Sequence, residues 1–121
     1  MNAIRFPAWI LLAAFVSAGC ASRLESNPLE GWKRLGSAYV MVCPFGQTII
    51  DDYQNYVQAL SVEEKSSADD FHTKFYESSD NQRAVEITVN LNGTRWKHVL
   101  IYDQKNTRIR VIKYASSRYA S

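Results

Sequence analysis

The sequence predicts an α+β domain: a four-stranded antiparallel meander with one main helix, about residues 48–60, packed on one face. Three observations carry that expectation. Apolar residues recur at helical spacing between 48 and 60, the spacing changes to two from Phe71 onward, and Asn92-Gly93 stands between two alternating runs. Helical period followed by strand period is the pattern of a helix layer laid on an antiparallel sheet. A chain of 121 residues that is 46% hydrophobic and 21% charged holds one domain's worth of residues and is too apolar to be disordered.

In the helix, Ile49, Tyr53, Tyr56, Val57 and Leu60 share one face, while Asp51, Asp52, Asn55 and Gln58 fall mostly on the other. Thr48 is expected to cap its start, with Asp51 and Asp52 in the first turn, and Pro44 and Gly46 stop it extending backward. Ser61-Val62-Glu63-Glu64 has the spacing of a capping box, which allows a second short helix to about Ala68. Upstream, the apolar run Tyr39-Val40-Met41-Val42-Cys43 reads as an extra N-terminal strand carrying a buried Cys43, ended by Pro44.

The meander reads as strands over 71–76, 84–91, 95–102 and 107–114, separated by Ser78-Ser79-Asp80-Asn81, Asn92-Gly93 and Asp103-Gln104-Lys105-Asn106. Asn-Gly suits a two-residue hairpin because both turn positions need positive φ, and such a turn fixes register. Leu91 then pairs with Thr94, Val89 with Trp96, Ile87 with His98 and Val85 with Leu100. A four-residue loop at 103–106 would set Leu100 against Ile109 and His98 against Val111. One face becomes Val85, Ile87, Val89, Trp96, His98, Leu100, Ile109 and Val111, which the helix is expected to cover. The other carries Arg95, Lys97, Arg108 and Arg110, with Glu86, Thr88, Val99, Ile101 and Ile112. Val99 and Ile101 on that second face suggest partial cover by another segment, for which Tyr39–Cys43 is the candidate.

The first twenty residues read as an address. Arg5 precedes an apolar run of eleven, Phe6 to Val16, too short to cross a bilayer as a mature helix and suited to a secretory signal. Ser17-Ala18-Gly19 then leads into Cys20. This segment resembles the lipobox of bacterial lipoproteins, with Ser17 standing where that family usually has Leu. The resemblance implies cleavage before Cys20, lipidation of its sulfur and acylation of its new amino group, giving an anchor and not a span. It further implies transport to the outer membrane, since residue 21 is Ala and not the Asp of lipoproteins retained in the inner membrane. The expected organisation is a signal over 1–19, a lipidated tether over 20–30 and one domain over 31–121. Ordinary signal cleavage after Ala18 is the competing outcome.

Charge is segregated along the chain. Residues 51–80 hold eight acids and two bases, whereas residues 81–121 hold two acids and eight bases. Arg95, Lys97, Arg108 and Arg110 are therefore the candidate face for an anionic partner: lipid head groups, envelope polymers or an acidic protein. The competing account is a solvated surface whose exposed pairs contribute about 0–1 kcal/mol each. Nucleic acid is not expected outside the cytoplasm.

Catalytic groups are few. The histidines are His72 and His98; His98 falls on the core face, and His72 stands with Asp69 and Asp70, a weak cation set. Cys43 beside either histidine would make a thiol nucleophile with a base, but nothing in the spacing supports it. A lone Cys43 could also pair with a partner chain. No phosphate loop or nucleophile elbow is present, and no cofactor or metal is expected. The Tyr102-to-Ile109 hairpin after helices is similar, at the level of fold alone, to small outer-membrane assembly lipoproteins. Ala115-Ser116-Ser117-Arg118-Tyr119 faintly resembles a loop of membrane-bound lysozyme inhibitors. The expectation is thus a non-enzymatic, outer-membrane-anchored periplasmic binding or assembly module. The alternatives are an inhibitor of a cell-wall hydrolase, or a small thiol or hydrolytic enzyme using Cys43, His72 or His98.

Overall fold

The computed structural model describes residues 27–116. The segment read as a signal over 1–19, Cys20 and most of the expected tether over 20–30 lie outside the described residues. The elements in chain order are β1 (Lys33–Ser37), α1 (Gln47–Gln58), α2 (Val62–Ser67), β2 (Thr73–Glu77), β3 (Arg83–Leu91), β4 (Thr94–Tyr102) and β5 (Arg108–Ala115). The strands form one sheet in the order β1-β2-β3-β4-β5, each neighbour antiparallel to the next. The class is α+β as the periodicity predicts, but the sheet has five strands, not four.

The additional strand is β1, and it is not the apolar run expected to play that part. Lys-Arg-Leu-Gly-Ser shows no alternation, and its register with β2 shifts between Arg34 and Gly36. Lysine and arginine on a free sheet edge discourage further pairing. The 39–43 run instead follows a turn in which the Val40 and Met41 amides donate to the Ser37 carbonyl, both at 3.1 Å. Cys43 and Phe45 are buried and Met41 packs against the same core, whereas Val42 is 82% exposed. The run alternates because it feeds the core beneath α1, with no neighbouring strand.

The N-cap of α1 is Gly46 at φ 93°, so Thr48 is already helical and caps nothing. Glycine fits that backbone at no steric cost. Asp51 and Asp52 accordingly lie beyond the first turn. The capping box at α2 forms: Ser61 Oγ accepts from the Glu64 amide at 3.2 Å, and Glu64 Oε1 accepts from the Ser61 amide at 3.3 Å.

The β3–β4 ladder has the predicted register, with Leu91 on Thr94, Val89 on Trp96, Ile87 on His98 and Val85 on Leu100. Asn92 (φ 55°) and Gly93 (φ 79°) both take the left-handed conformation the turn demands. The β4–β5 register differs from expectation by two residues: Leu100 faces Val111 and His98 faces Lys113. The loop runs through Thr107, adding one residue, and an irregularity between Ile101 and Tyr102 adds another. At Arg108 the shift is one residue and moves it to the other face, opposite Tyr102, whereas past the irregularity the shift of two keeps Arg110 on the predicted face.

Both faces of the sheet are covered. On the helix side, Ile49 and Tyr53 of α1 meet Phe75, Val85, Ile87, Val89, Leu100 and Tyr102, with Trp96 partly buried against them. The cover stops short of β5, so Ile109 and Val111 are 47% and 37% exposed where burial was expected. On the outer side, Leu29 packs on Ala84, Val99 and Ile101, joined by Trp32, Tyr76, Ile112 and Tyr114. The segment covering Val99 and Ile101 is thus residues 27–32 and not Tyr39–Cys43.

Phe75→Ala, which opens a cavity under α1, should lower stability by about 3–5 kcal/mol, and Leu29→Ala by about 2–4 kcal/mol, whereas Ile109→Ala should change it by about 0.5 kcal/mol or less. Denaturant melts of the three variants check this. A negligible loss for Leu29→Ala would contradict the outer cluster.

Candidate functional site

The ladder places side chains alternately on the two faces, and this decides which cations can act together. Arg95, Lys97 and Arg110 lie on the outer face with Val99, Ile101 and Ile112, while Arg108 lies on the helix side. The four cations expected on one face are therefore not brought together. Arg108 Nε sits 3.3 Å from Asp52 Oδ2 and its guanidinium lies over the Tyr56 ring, 5.4 Å from the centroid. Tyr102 donates to the same Asp52 oxygen at 2.7 Å. Arg108 thus ties β5 to α1.

Sequence reasoning missed two outer-face cations. Arg34 of β1 pairs in register with Tyr76, and Lys74 of β2 pairs with Glu86. Lys74 is pushed below its ordinary value by burial first, then by the positive charges of Lys97 and Arg34. The buried carboxylate of Glu86 is the counter-charge: Lys97 Nζ lies 3.6 Å from Oε1, and the Tyr114 hydroxyl donates to Oε2 at 3.4 Å. Lys97 keeps only 13% of its side chain exposed and is committed to Glu86. No carboxylate among the described residues comes within ion-pair distance of Arg34, Arg95 or Arg110. The charge on this face outside that ion pair is Arg34 and Arg110, which are exposed, and Lys74 and Arg95, which are half-buried.

The groups with catalytic potential are dispersed. Cys43 is a buried free thiol; burial pushes it above its ordinary value, outweighing a backbone hydrogen bond at Phe45. His98 is also buried, with Nδ1 bonded to the Tyr56 hydroxyl at 2.8 Å and Nε2 facing Glu64 at 3.8 Å. His72 Nδ1 lies 3.0 Å from Asp69, which also accepts from the His72 amide and caps the 3-10 turn Asp70–His72. No hydrogen bond joins Cys43 to either histidine among the described residues. A cleft of about 340 Å³ beside α1 is lined by Tyr53, Val57, Ala68, Asp69, Asp70 and Thr73 among others, and neither Cys43 nor a histidine reaches it. Among the described residues no three His, Cys, Asp or Glu side chains are grouped to hold a metal ion.

No protein-family model, curated protein or solved structure matches the chain. The reading of the site therefore rests on its own geometry.

Two outcomes follow from the buried groups. Cys43 should resist iodoacetamide at pH 8 in the native protein and react fully in denaturant; rapid native labelling would contradict a desolvated thiol. His98 is held below its ordinary value of 6.5 by burial, then by Lys113, with Glu64 opposing. The unfolded chain thus takes up a proton at His98 at a pH where the folded protein does not. Stability should fall as pH drops below 6.5, and the slope should flatten in His98→Gln. Melts of both proteins between pH 7 and pH 5 measure it.

Proposed function

We propose that the chain is a lipid-anchored, non-enzymatic binding module of the outer membrane, whose outer sheet face engages an anionic envelope component. The observation that carries this reading is the set of outer-face cations: among the described residues Arg34, Arg95 and Arg110 have no carboxylate within ion-pair distance, while six of the chain's twelve acids lie in the helix layer, residues 47–72. Uncompensated arginines separated by aliphatic side chains suit multivalent anions, since guanidinium groups bind phosphate and carboxylate in pairs. The anchor follows from Ser17-Ala18-Gly19-Cys20 and is consistent with a described body in which no helix is long and apolar enough to cross a membrane. The burial of Cys43 and His98 weighs against the thiol-enzyme alternative.

The inhibitor reading keeps one observation in its favour. Tyr39, Val40, Val42 and Phe71 form an exposed apolar tip, with the Tyr39 and Phe71 rings 5.2 Å apart edge to face. Exposed apolar groups of this kind mark contact sites. Val42→Asp would relieve inhibition of a muramidase under that reading and leave a module acting through its basic face unaffected.

Metabolic labelling with a radioactive fatty acid should mark the wild type and fail to mark Cys20→Ser, which should leave the membrane fraction. Arg95→Glu with Arg110→Glu should keep the label and lose co-purifying anionic envelope material at low salt. High salt should release the same material from the wild type, because exposed charges are screened beyond about 8 Å at physiological ionic strength. Unchanged labelling of Cys20→Ser overturns the anchor, and unchanged retention by the double variant overturns the binding face.

A further inference from the structure

We propose that the anionic component is the head-group layer of the very bilayer that holds the anchor: the outer sheet face lies on the membrane and the helix layer points away from it. This rests on the anchored, basic-face reading above and adds an orientation to it.

Three observations carry the inference. The first is where the chain enters the body. Leu29 is 3% exposed and packed on Val99 and Ile101, so the polypeptide joins the domain on the outer face and not on the helix side, with Glu30, Gly31 and Trp32 beside the turn between β2 and β3. The entry is fixed by a turn in which the Asn27 side chain accepts from the Leu29 amide at 2.9 Å and the Leu29 carbonyl accepts from the Trp32 amide at 3.0 Å. The second is reach. Cys20 precedes Asn27 by seven residues, and a chain of that length spans at most about 25 Å. A lipid on Cys20 keeps the outer face within that distance of the head groups.

The third is charge. The outer face presents Arg34, Lys74, Arg95 and Arg110, and its one central carboxylate, Glu86, is buried against Lys97. The opposite layer, residues 47–72, holds six carboxylates and one lysine. The helix side also carries Arg83, Arg108 and Lys113 from the strands, so an anionic surface within reach of the tether attracts the outer face more strongly than the helix side, which turns the domain as well as holding it. Half of the chain's twelve acids are in the layer that would point away.

The two tryptophans after Cys20 report on opposite faces: Trp32 packs in the outer cluster and Trp96 against the helix-side core. The test uses the full lipidated protein in vesicles of phosphatidylethanolamine and phosphatidylglycerol that carry a head-group nitroxide quencher. Trp96→Phe leaves Trp32 as the emitter, and Trp32→Phe leaves Trp96. Trp32 emission should be strongly lost and Trp96 emission retained. The contrast should vanish with Arg34→Glu, Arg95→Glu and Arg110→Glu combined, and in vesicles of phosphatidylcholine alone, while the protein stays attached. Hydrogen exchange of the unsubstituted protein reads the same orientation, with vesicles protecting 27–32 and leaving α2 unchanged. Equal quenching of the two tryptophans, preferential quenching of Trp96, or a contrast that survives the triple variant overturns the orientation. A protein that does not float with vesicles overturns the anchored reading beneath it.

Discussion

The β3–β4 ladder is the constraint on which the rest of the molecule depends. Nine residue pairs run back from a two-residue turn, and from Ala84 to Val89 every residue of β3 is buried. An ordinary two-layer sheet would leave alternate residues of that strand in water. Here Val85, Ile87 and Val89 serve one core while Ala84, Glu86 and Thr88 are covered from the other side. A slip of one residue would exchange the two sets and set Glu86 and Thr88 against Phe75 and Ile49. The turn residues therefore decide the identity of both faces, and with it the placement of every charged group discussed above.

The helix layer is fastened to this ladder by polar contacts at its rim as well as by apolar burial at its centre. Asp52 accepts from Tyr102 and pairs with Arg108. Glu64 completes the α2 capping box with one oxygen and faces His98 with the other, while Glu63 accepts from the Asn92 amide at 2.7 Å and Ser67 from the Asn90 amide at 2.7 Å. Carboxylates that look solvent-facing in the sequence are thus committed to tethering helices to strands. Their commitment has an electrostatic consequence: Asp52, Glu63 and Glu64 are held on the helix side of the sheet and do not pair with Arg34, Arg95 or Arg110 on the other.

Much of the helix-side layer was legible from residue spacing. The α1 stripe, the Ser61–Glu64 box and the Asn92-Gly93 register are local signals, each carried by a few adjacent residues. What escaped depends on contacts distant in sequence. β1 is a strand only because β2 offers it an edge, and Lys33–Ser37 carries no period of its own. The displaced Arg108 follows from an irregularity that lets it reach Asp52, fifty-six positions earlier in the chain. The candidate site was legible in part: Arg95 and Arg110 stand where alternation puts them, Lys97 does so but is committed to Glu86, and Arg34 and Lys74 join the face only through sheet order. The aliphatic residues between the cations were the one signal that the outer face needed a cover, and Leu29 and Trp32 supply it.

The central claim is the register that creates two faces, and proton–proton contacts across the ladder test it most directly. Below a two-residue turn, alternate pairs are the closely spaced kind, so Asn90–Arg95, Thr88–Lys97 and Glu86–Val99 should show strong cross-strand Hα–Hα contacts in nuclear magnetic resonance spectra. Observing those three together is the result the account predicts. Contacts displaced by one residue, such as Thr88 with His98 or Glu86 with Leu100, would exchange the two faces and contradict it.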